Sequence, residues 1–358
     1  MILVAPTSFK GTIGAAEAAA AMAAGVRQAR PDAAVLELPL SDGGPGLIDA
    51  LRRGRAELPR AAVSGPLGES VRAPVLVRHG RAIVESADAC GLHLVPPGRR
   101  DPLRTSTRGV GELLLAAAAL ADVREIACGL GGSATVDGGA GLARALGFRF
   151  LHADGAELPP VGGALDALAR IEPPARPPAL PPVVGLCDVV SPLLGPRGAA
   201  PVFGPQKGAD ALGVARLEAG LQRLAERIRL DLGTDVVPLA GGGAAGGLGA
   251  GLVAFAGAHL LPGSEWVLRA VDFDAALARA RLVLTGEGAY DEQSALGKLA
   301  GEVIRRARAR GVPVLLLCGS ISAPLPDGVT GLTGGGGHLT PTTLAALAAA
   351  GCARLLPP

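Results

Sequence analysis

A glycine-rich stretch, Cys128–Leu142, constrains the fold of this chain more than any other segment. It holds six glycines between a short apolar run that predicts a strand, 123–127, and a run that predicts a helix, 142–146. Glycine permits positive φ angles and close backbone approach, and a helix that begins here offers free N–H groups to an anion. The stretch therefore indicates a ligand-binding loop. A tight turn with Asp137 as a helix N-cap is the alternative.

The pattern D-G-G-x-G-L-x-x-A-L occurs twice in the sequence. It begins at Asp42 and again at Asp137, and a third glycine run spans Gly241–Gly251. Each of the three runs precedes a predicted helix. Several helix N-termini that face one site would suit a ligand with several negative charges, such as a nucleoside triphosphate. We therefore expect these glycine loops to converge.

Composition excludes several functional classes. The 358 residues carry a net charge of +2 and only 2% aromatic residues, so neither a basic nucleic-acid groove nor a stacking surface is expected. The five cysteines are far apart and without C-x-x-C spacing, which indicates neither a disulfide framework nor a zinc site. No signal peptide or convincing membrane helix is found. We expect a soluble, cytoplasmic protein with no membrane partner, and the sequence leaves homodimer formation open.

The order of predicted elements indicates an α/β fold with parallel strands. A strand at 1–5, a helix at 13–30 and a strand at 34–38 form one parallel unit, and the strands at 282–284 and 313–317 belong to another. Ligands bind at the carboxyl ends of such strands. The tail, Gly331–Pro358, contains a tetraglycine and a short Ala/Leu helix and is expected to be weakly structured.

The chemistry available consists of carboxylates and lysines beside glycines. Only three of the 34 basic residues are lysines, and each has a glycine within one residue: Lys10, Lys207 and Lys298. Carboxylates, lysines and glycine loops together are typical of phosphoryl transfer assisted by Mg²⁺. The P-loop pattern is absent, and the single match to a dinucleotide fingerprint at 129–134 supports a nicotinamide-dependent enzyme only weakly.

Taken together, the motifs resemble those of the bacterial glycerate kinases that make 2-phosphoglycerate. They run in family order across residues 1–320: APTSFKGT (5–12), SDGG (41–44), SGPLG (64–68), GGSATVDGGAG (131–141), CDV (187–189), FGPQKG (203–208), AAGGLG (244–249) and TGEG (285–288) with Asp291 and Gln293. The resemblance implies ATP-dependent phosphorylation of D-glycerate at the 2-hydroxyl with Mg²⁺. It also implies a two-lobed α/β fold, in which residues 1–62 and 280–358 form a discontinuous Rossmann-like parallel-sheet lobe and residues 63–279 an inserted α/β lobe.

The resemblance and the local chemistry suggest a role for each candidate site residue. We expect Asp188 or Asp291 to accept the hydroxyl proton, with Lys10 and Lys207 also catalytic. The nucleotide-binding candidates are Gly131, Gly132, Ser133, Gly246, Gly247 and Lys298. The substrate-binding candidates are Ser8, Asp42, Glu287 and Gln293, and the candidate metal ligands are Asp42, Asp137 and Asp188.

The chain departs from the family pattern at a few loop positions. Pro45 and Leu47 stand where the family usually has Glu and Thr, Ser191 replaces Asn, and Ala289 replaces Arg. These departures motivate an alternative hypothesis, a catalytically weakened protein that binds glycerate or a nucleotide without turnover.

Overall fold

A computed structural model describes residues 1–9, 12–52, 54, 57–295, 298–335 and 339–356. By internal contacts the chain forms two compact units, a discontinuous one of Met1–Arg53 with Gly263–Pro358, and one of Gly54–Pro262. We call these the discontinuous unit and the inserted unit. Their junctions lie at 53/54 and 262/263, whereas the sequence prediction put them at 62/63 and 279/280.

The discontinuous unit is built on a five-stranded parallel sheet. Apolar runs such as Ile2–Val4 and Leu282–Leu284 are fully buried, as expected for strands covered by helices on both faces. The strands lie in the order Val329–Thr333, Val314–Ile321, Leu282–Tyr290, Ile2–Val4, Val35–Glu37. The helices of this unit are Ala15–Ala29, Leu47–Leu51, Gly263–Ala270, Phe273–Leu277, Glu292–Ala295, Leu299–Ala309 and Pro341–Leu355.

In its described residues the carboxyl-terminal tail forms regular structure, so the expectation of a weakly structured tail is wrong there. Val329–Thr333 is an edge strand of the parallel sheet, and Pro341–Leu355 is a helix of four turns that packs on Ala15–Ala29. Leu344, Ala348 and Cys352 are buried in the same core as strand residues Ile2 and Val4. The Ala-rich tail shows little amphipathic contrast, because small residues rather than large ones make this close helix contact.

The inserted unit contains a second, mixed sheet. Its five strands lie in the order His259–Leu261, Val183–Leu186, Glu125–Gly129, Arg81–Glu85, Leu76–Arg78, and all neighbours are parallel except the last pair, which is a hairpin. Two further antiparallel pairs are Arg60–Ser64 with Ser70–Pro74 and Arg149–Leu151 with Arg170–Glu172. The α-helices are Ala87–Cys90, Arg108–Ala118, Ala140–Ala145, Ala199–Phe203, Ala211–Arg227 and Ala244–Ala256.

Shorter helical turns complete the inserted unit. The 3₁₀ turns are Leu92–Leu94, Pro97–Arg99, Gly162–Ala167 and Pro205–Lys207, and a π-helical turn, Ile228–Leu232, ends the longest helix. One apolar core joins the strands to the helices, with Leu113, Leu142 and Leu221 among its fully buried members. In the described ranges of the chain, no helix combines the length and apolarity needed to cross a membrane.

The contact between the first and last helices gives a test of the ordered tail. A Cβ atom at Gly25 would lie 2.0 Å from the carbonyl oxygen of Ala345, so Gly25→Ala must push the two helices apart. We expect the free energy of unfolding of this unit to fall by about 1–3 kcal/mol. Trp266, the single tryptophan, lies in the same unit and reports its urea unfolding by fluorescence.

Gly14→Ala is the matched control for this experiment. Gly14 precedes the same helix with φ −68°, and no atom lies within 4 Å of its Cβ position. Its effect on the free energy of unfolding should stay below about 0.5 kcal/mol. Equal urea midpoints for the two variants would contradict the packing of Pro341–Leu355 on Ala15–Ala29.

Candidate functional site

In the discontinuous unit, the loops after three adjacent strands meet at one edge of the sheet. The chain runs from Ile2–Val4 to the strand on one side, Val35–Glu37, whereas Leu282–Tyr290 is followed by the strand on its other side, Val314–Ile321. The two connections therefore lead to opposite sides of the sheet. Doubly wound sheets bind their ligands in the crevice that forms at such a point.

Backbone hydrogen bonds hold these loops together. Thr7 N donates to Gly286 O at 2.9 Å, and Leu40 N donates to Pro6 O at 2.9 Å. The buried Thr285 Oγ1 donates to Ala5 O at 2.8 Å. The edge is therefore a fixed backbone frame that carries the side chains that follow it.

Four sequence-predicted residues lie at this edge. Asp42 is exposed, whereas Ser8, Glu287 and Asp291 are half-buried. Asp42 Oδ1 accepts a hydrogen bond from Gly44 N at 3.0 Å, and Asp291 Oδ1 accepts one from Ser294 N at 2.9 Å. The edge thus combines three carboxylates with a hydroxyl.

The other predicted residues of this unit are placed less completely. Lys298 is exposed and precedes the helix Leu299–Ala309. Gln293 lies on the short helix Glu292–Ala295, but its side chain is outside the described part of the structure, as is all of Lys10. The helix after the first D-G-G phrase, Leu47–Leu51, has only five residues.

In the inserted unit, two of the three glycine loops pack directly against each other, as predicted. A Cβ at Gly246 would lie 1.9 Å from Thr135 O, and one at Gly139 would lie 2.7 Å from the Cα of Gly251. Gly138 N also donates to Gly246 O at 3.2 Å. No side chain fits between the two loops, so these glycines are required by backbone packing.

The conformation of the second loop adds a further requirement for glycine. Ala245, Gly246 and Gly247 have consecutive positive φ angles of 52°, 74° and 89°. A run of left-handed residues is costly for side chains larger than glycine, and here it lies at the start of the helix Ala244–Ala256.

Asp137 lies in the interior of the first loop, and both its carboxylate oxygens are occupied. Oδ2 accepts from Thr107 N and Thr107 Oγ1 at 2.8 Å each and from Gly141 N at 3.2 Å. Oδ1 accepts from Gly139 N at 3.1 Å. Burial raises the pKa of the Asp137 carboxyl, and these hydrogen bonds oppose the rise.

Lys207 is the buried cation between the two glycine loops. It is only 2% exposed, and its Nζ donates to Ser133 Oγ at 2.9 Å and to Thr135 O at 2.7 Å. The same Nζ lies 3.0 Å from the Cβ position of Gly246 and 5.9 Å from the centroid of the Phe203 ring. Lys207 therefore binds one loop and closes the space beside the other.

Accessibility divides the predicted nucleotide-binding residues into two groups. Gly132 is exposed and Gly131 half-exposed, so their backbone can reach a ligand. Ser133, Gly246 and Gly247 are buried. Of these five residues, only Gly131 and Gly132 are accessible to a ligand. The buried Ser133, Gly246 and Gly247 support them from the interior.

Asp188 is an exposed carboxylate in the inserted unit. It is the second residue after the buried strand Val183–Leu186, and the intervening residue is fixed by Cys187 N, which donates to Leu261 O at 3.1 Å. Within the described ranges, no group of three or more His, Cys, Asp or Glu side chains is arranged to hold a metal ion.

Thr107 is a residue that sequence reasoning missed. Besides its two donations to Asp137, its Oγ1 accepts a hydrogen bond from Leu142 N at 3.0 Å, so it joins the Asp137 carboxylate to the start of the helix Ala140–Ala145. The two residues are 30 positions apart, and no local pattern links them. The sequence therefore gives no signal that connects Thr107 with Asp137.

Two sheets made mainly of parallel strands, carboxylates after the strand ends and a glycine loop held by a buried lysine are typical of α/β proteins that bind anionic small molecules. A family model described as the glycerate kinase family matches residues 2–332. The chain belongs to the glycerate kinase family.

Individual relatives agree with this assignment. The chain is 44% identical to the glycerate kinase of Halalkalibacterium halodurans over 328 residues, covering 89% of this chain and 85% of that one. It is 42% identical to the glycerate 2-kinase of Escherichia coli over 326 residues, covering 90% and 85%. A crystal structure from Salmonella typhimurium LT2, named as a candidate glycerate kinase 2, has a TM-score of 0.85 at 41% identity and covers 99% of this chain and 97% of that one.

The buried ammonium of Lys207 makes stability depend on pH. Burial lowers the pKa of Lys207 to about 8 from 10.5, although the nearby Cys90 and Asp137 oppose this change. The unfolded chain binds the proton more tightly, so burial costs about 3 kcal/mol below pH 8. That cost disappears between pH 8 and 10.5. Relative to Lys207→Met, the wild type should gain stability as pH rises through this range.

Calorimetric unfolding at several pH values measures this difference. The control is Lys298→Met, which removes an exposed lysine and one charge from the other unit. A difference between wild type and Lys207→Met that does not change from pH 7 to pH 10 would show that Lys207 is not buried as an ammonium.

Proposed function

We propose that this protein is an ATP-dependent kinase that phosphorylates D-glycerate at the 2-hydroxyl and releases 2-phosphoglycerate. The supporting observation is that the glycine loop around Lys207 and the carboxylates at the strand ends lie within the region that matches the family model. The regiochemistry rests on similarity to a glycerate 2-kinase. We also propose a cytoplasmic enzyme, and sedimentation would decide whether it forms a homodimer.

Some of the candidate residues face the ligand, and others hold the loop in place. Gly131 and Gly132 meet nucleotide phosphates through backbone N–H groups, and Lys298 contributes an exposed positive charge. Lys207 holds the loop from the interior, so we assign it a positioning role. Ser8, Asp42, Glu287 and Gln293 remain candidates for substrate binding.

We further propose that a carboxylate accepts the proton of the reacting hydroxyl. Asp188 and Asp291 are the candidates, because each follows or ends a strand at the carboxyl edge of its own sheet. A positioned general base contributes typically 10²- to 10⁴-fold to a rate. The role of the buried Asp137 is structural, since four N–H or O–H donors already occupy its oxygens.

Two exposed carboxylates are separate candidates to hold Mg²⁺, Asp42 of the discontinuous unit and Asp188 of the inserted unit. Mg²⁺ in kinases is commonly held by one or two carboxylates and the substrate phosphates, so a cluster of three protein ligands is not needed. Bound there, the ion would neutralise negative charge on the phosphates. Asp137 does not fit this function, because its lone pairs are directed at backbone donors.

The proposed reaction is tested with purified protein, D-glycerate, ATP and Mg²⁺, with the phosphoglycerate isomers resolved by chromatography. We expect 2-phosphoglycerate and a turnover of about 1–100 s⁻¹, the usual range for kinases. Formation of 3-phosphoglycerate would contradict the regiochemistry. Nucleotide binding by folded protein without any transfer would favour the alternative of a binding protein.

Two matched substitutions separate a ligand-facing carboxylate from a structural one. Asp188→Asn should reduce kcat by about 10²- to 10⁴-fold with an unchanged melting temperature, because Asp188 is exposed. Asp137→Asn replaces an acceptor by an NH₂ group facing N–H donors, so we expect a loss of about 1–3 kcal/mol in the free energy of unfolding. The measurements are steady-state kinetics and thermal unfolding.

Two outcomes would contradict the roles assigned to Asp137 and Asp188. If Asp137→Asn kept the wild-type melting temperature but needed far more Mg²⁺ for half-maximal rate, Asp137 would be a metal ligand. If Asp188→Asn kept full turnover, Asp188 would be neither the base nor an essential metal ligand.

A further inference from the structure

A basic cavity lies in the inserted unit. It has a volume of about 430 Å³ and is lined by Leu67, Gly98, Arg99, Arg100, Asp101 and Arg104. This volume lies within the range of small-molecule sites, about 300–1,000 Å³. Three guanidinium groups and one carboxylate give the lining a net charge of plus two.

The three arginines are not used by the described protein. Their guanidinium groups make no hydrogen bond or ion pair with any residue in the described ranges, and Arg100 Nε is buried without a partner. Several other arginines of this unit are paired with carboxylates, such as Arg108 with Glu112 and Arg149 with Glu157. A buried donor without a partner is costly, so an external acceptor would stabilise Arg100.

Asp101 distinguishes this cavity from a general phosphate site. Its Oδ1 accepts a hydrogen bond from Leu103 N at 3.0 Å. The other oxygen makes no hydrogen bond with a described residue, so it is an acceptor at the cavity wall. A carboxylate repels phosphate oxygens but accepts hydrogen bonds from hydroxyls. Guanidinium groups beside such an acceptor suit a small hydroxy acid.

The cavity is next to the glycine loop in the chain and in space. A Cβ at Gly208, the residue after Lys207, would lie 2.3 Å from Arg100 O. Thr105, the residue after Arg104, donates from Oγ1 to Ala134 O at 2.9 Å. Leu67 also lines the cavity, and its neighbour Pro66 is held to the segment after Arg104 by Ser106 N, which donates to Pro66 O at 2.9 Å.

We propose that this cavity binds the carboxylate of the hydroxy-acid substrate. Arg100 is the central donor, Arg99 and Arg104 are the flanking cations, and Asp101 accepts a hydrogen bond from a substrate hydroxyl. A guanidinium group binds a carboxylate through two parallel N–H donors, which a lysine cannot do. The identification of the hydroxy acid as glycerate rests on the proposed function, whereas binding of a hydroxy acid does not.

The test combines direct binding with kinetics. Calorimetric titration without ATP should show wild-type binding of D-glycerate and no binding of glycerol, which lacks the carboxylate. In the kinase assay, Arg100→Gln should raise KM for D-glycerate by about 10- to 100-fold while KM for ATP changes less than twofold. Arg104→Gln, at an exposed position, should act in the same direction if Arg100→Gln folds poorly.

Arg176→Gln is the matched control, because Arg176 is an exposed arginine of the same unit outside the cavity lining. It should leave both KM values unchanged. Unchanged D-glycerate binding in folded Arg100→Gln and Arg104→Gln would overturn the proposal, and so would a rise confined to KM for ATP. Wild-type D-glycerate binding that Arg100→Gln abolishes, without any phosphate transfer, would support the cavity and refute the kinase.

Discussion

The inserted unit depends on the contact of one buried ammonium group with two glycine loops. Lys207 Nζ is removed from water and has Ser133 Oγ and Thr135 O as partners, so the loop must hold those oxygens in place or the charge is left unsolvated. Only glycine at 246 lets the second loop approach. The buried glycines of these loops therefore serve close packing, and only the accessible Gly131 and Gly132 can contact a ligand.

In the discontinuous unit the loops at the sheet edge are positioned by the strand order and by backbone hydrogen bonds. Its strand order reverses direction beside Ile2–Val4, so the loops after neighbouring strands separate and leave a crevice. Backbone hydrogen bonds between Thr7 and Gly286 and between Pro6 and Leu40 fix that edge without any charged group. The carboxylates that follow can then be exposed or half-buried, since they do not hold the fold together.

Sequence patterns predicted what depends on local residues. The helix predicted at 13–30 is Ala15–Ala29, and the strand predicted at 34–38 contains Val35–Glu37. The tail was misjudged because its helix packs through Ala and Gly, which leave a weak periodic signal. The partners of Asp137 and Lys207 come from residues 30 and more than 70 positions away, and one sequence carries no sign of such pairings.

The shape of the charged group fits its surroundings both at Lys207 and at the arginines of the cavity. Three lysines stand among 34 basic residues. Lys207 is only 2% exposed and its Nζ has two acceptors, Ser133 Oγ and Thr135 O, which suits a compact ammonium better than a planar guanidinium with five donors. In the cavity beside Arg100 a guanidinium is the better group, because its planar N–H donors can form two parallel hydrogen bonds with a planar carboxylate. The charge that organises the glycine loop is therefore a compact ammonium, whereas the charges that line the cavity are planar guanidinium groups.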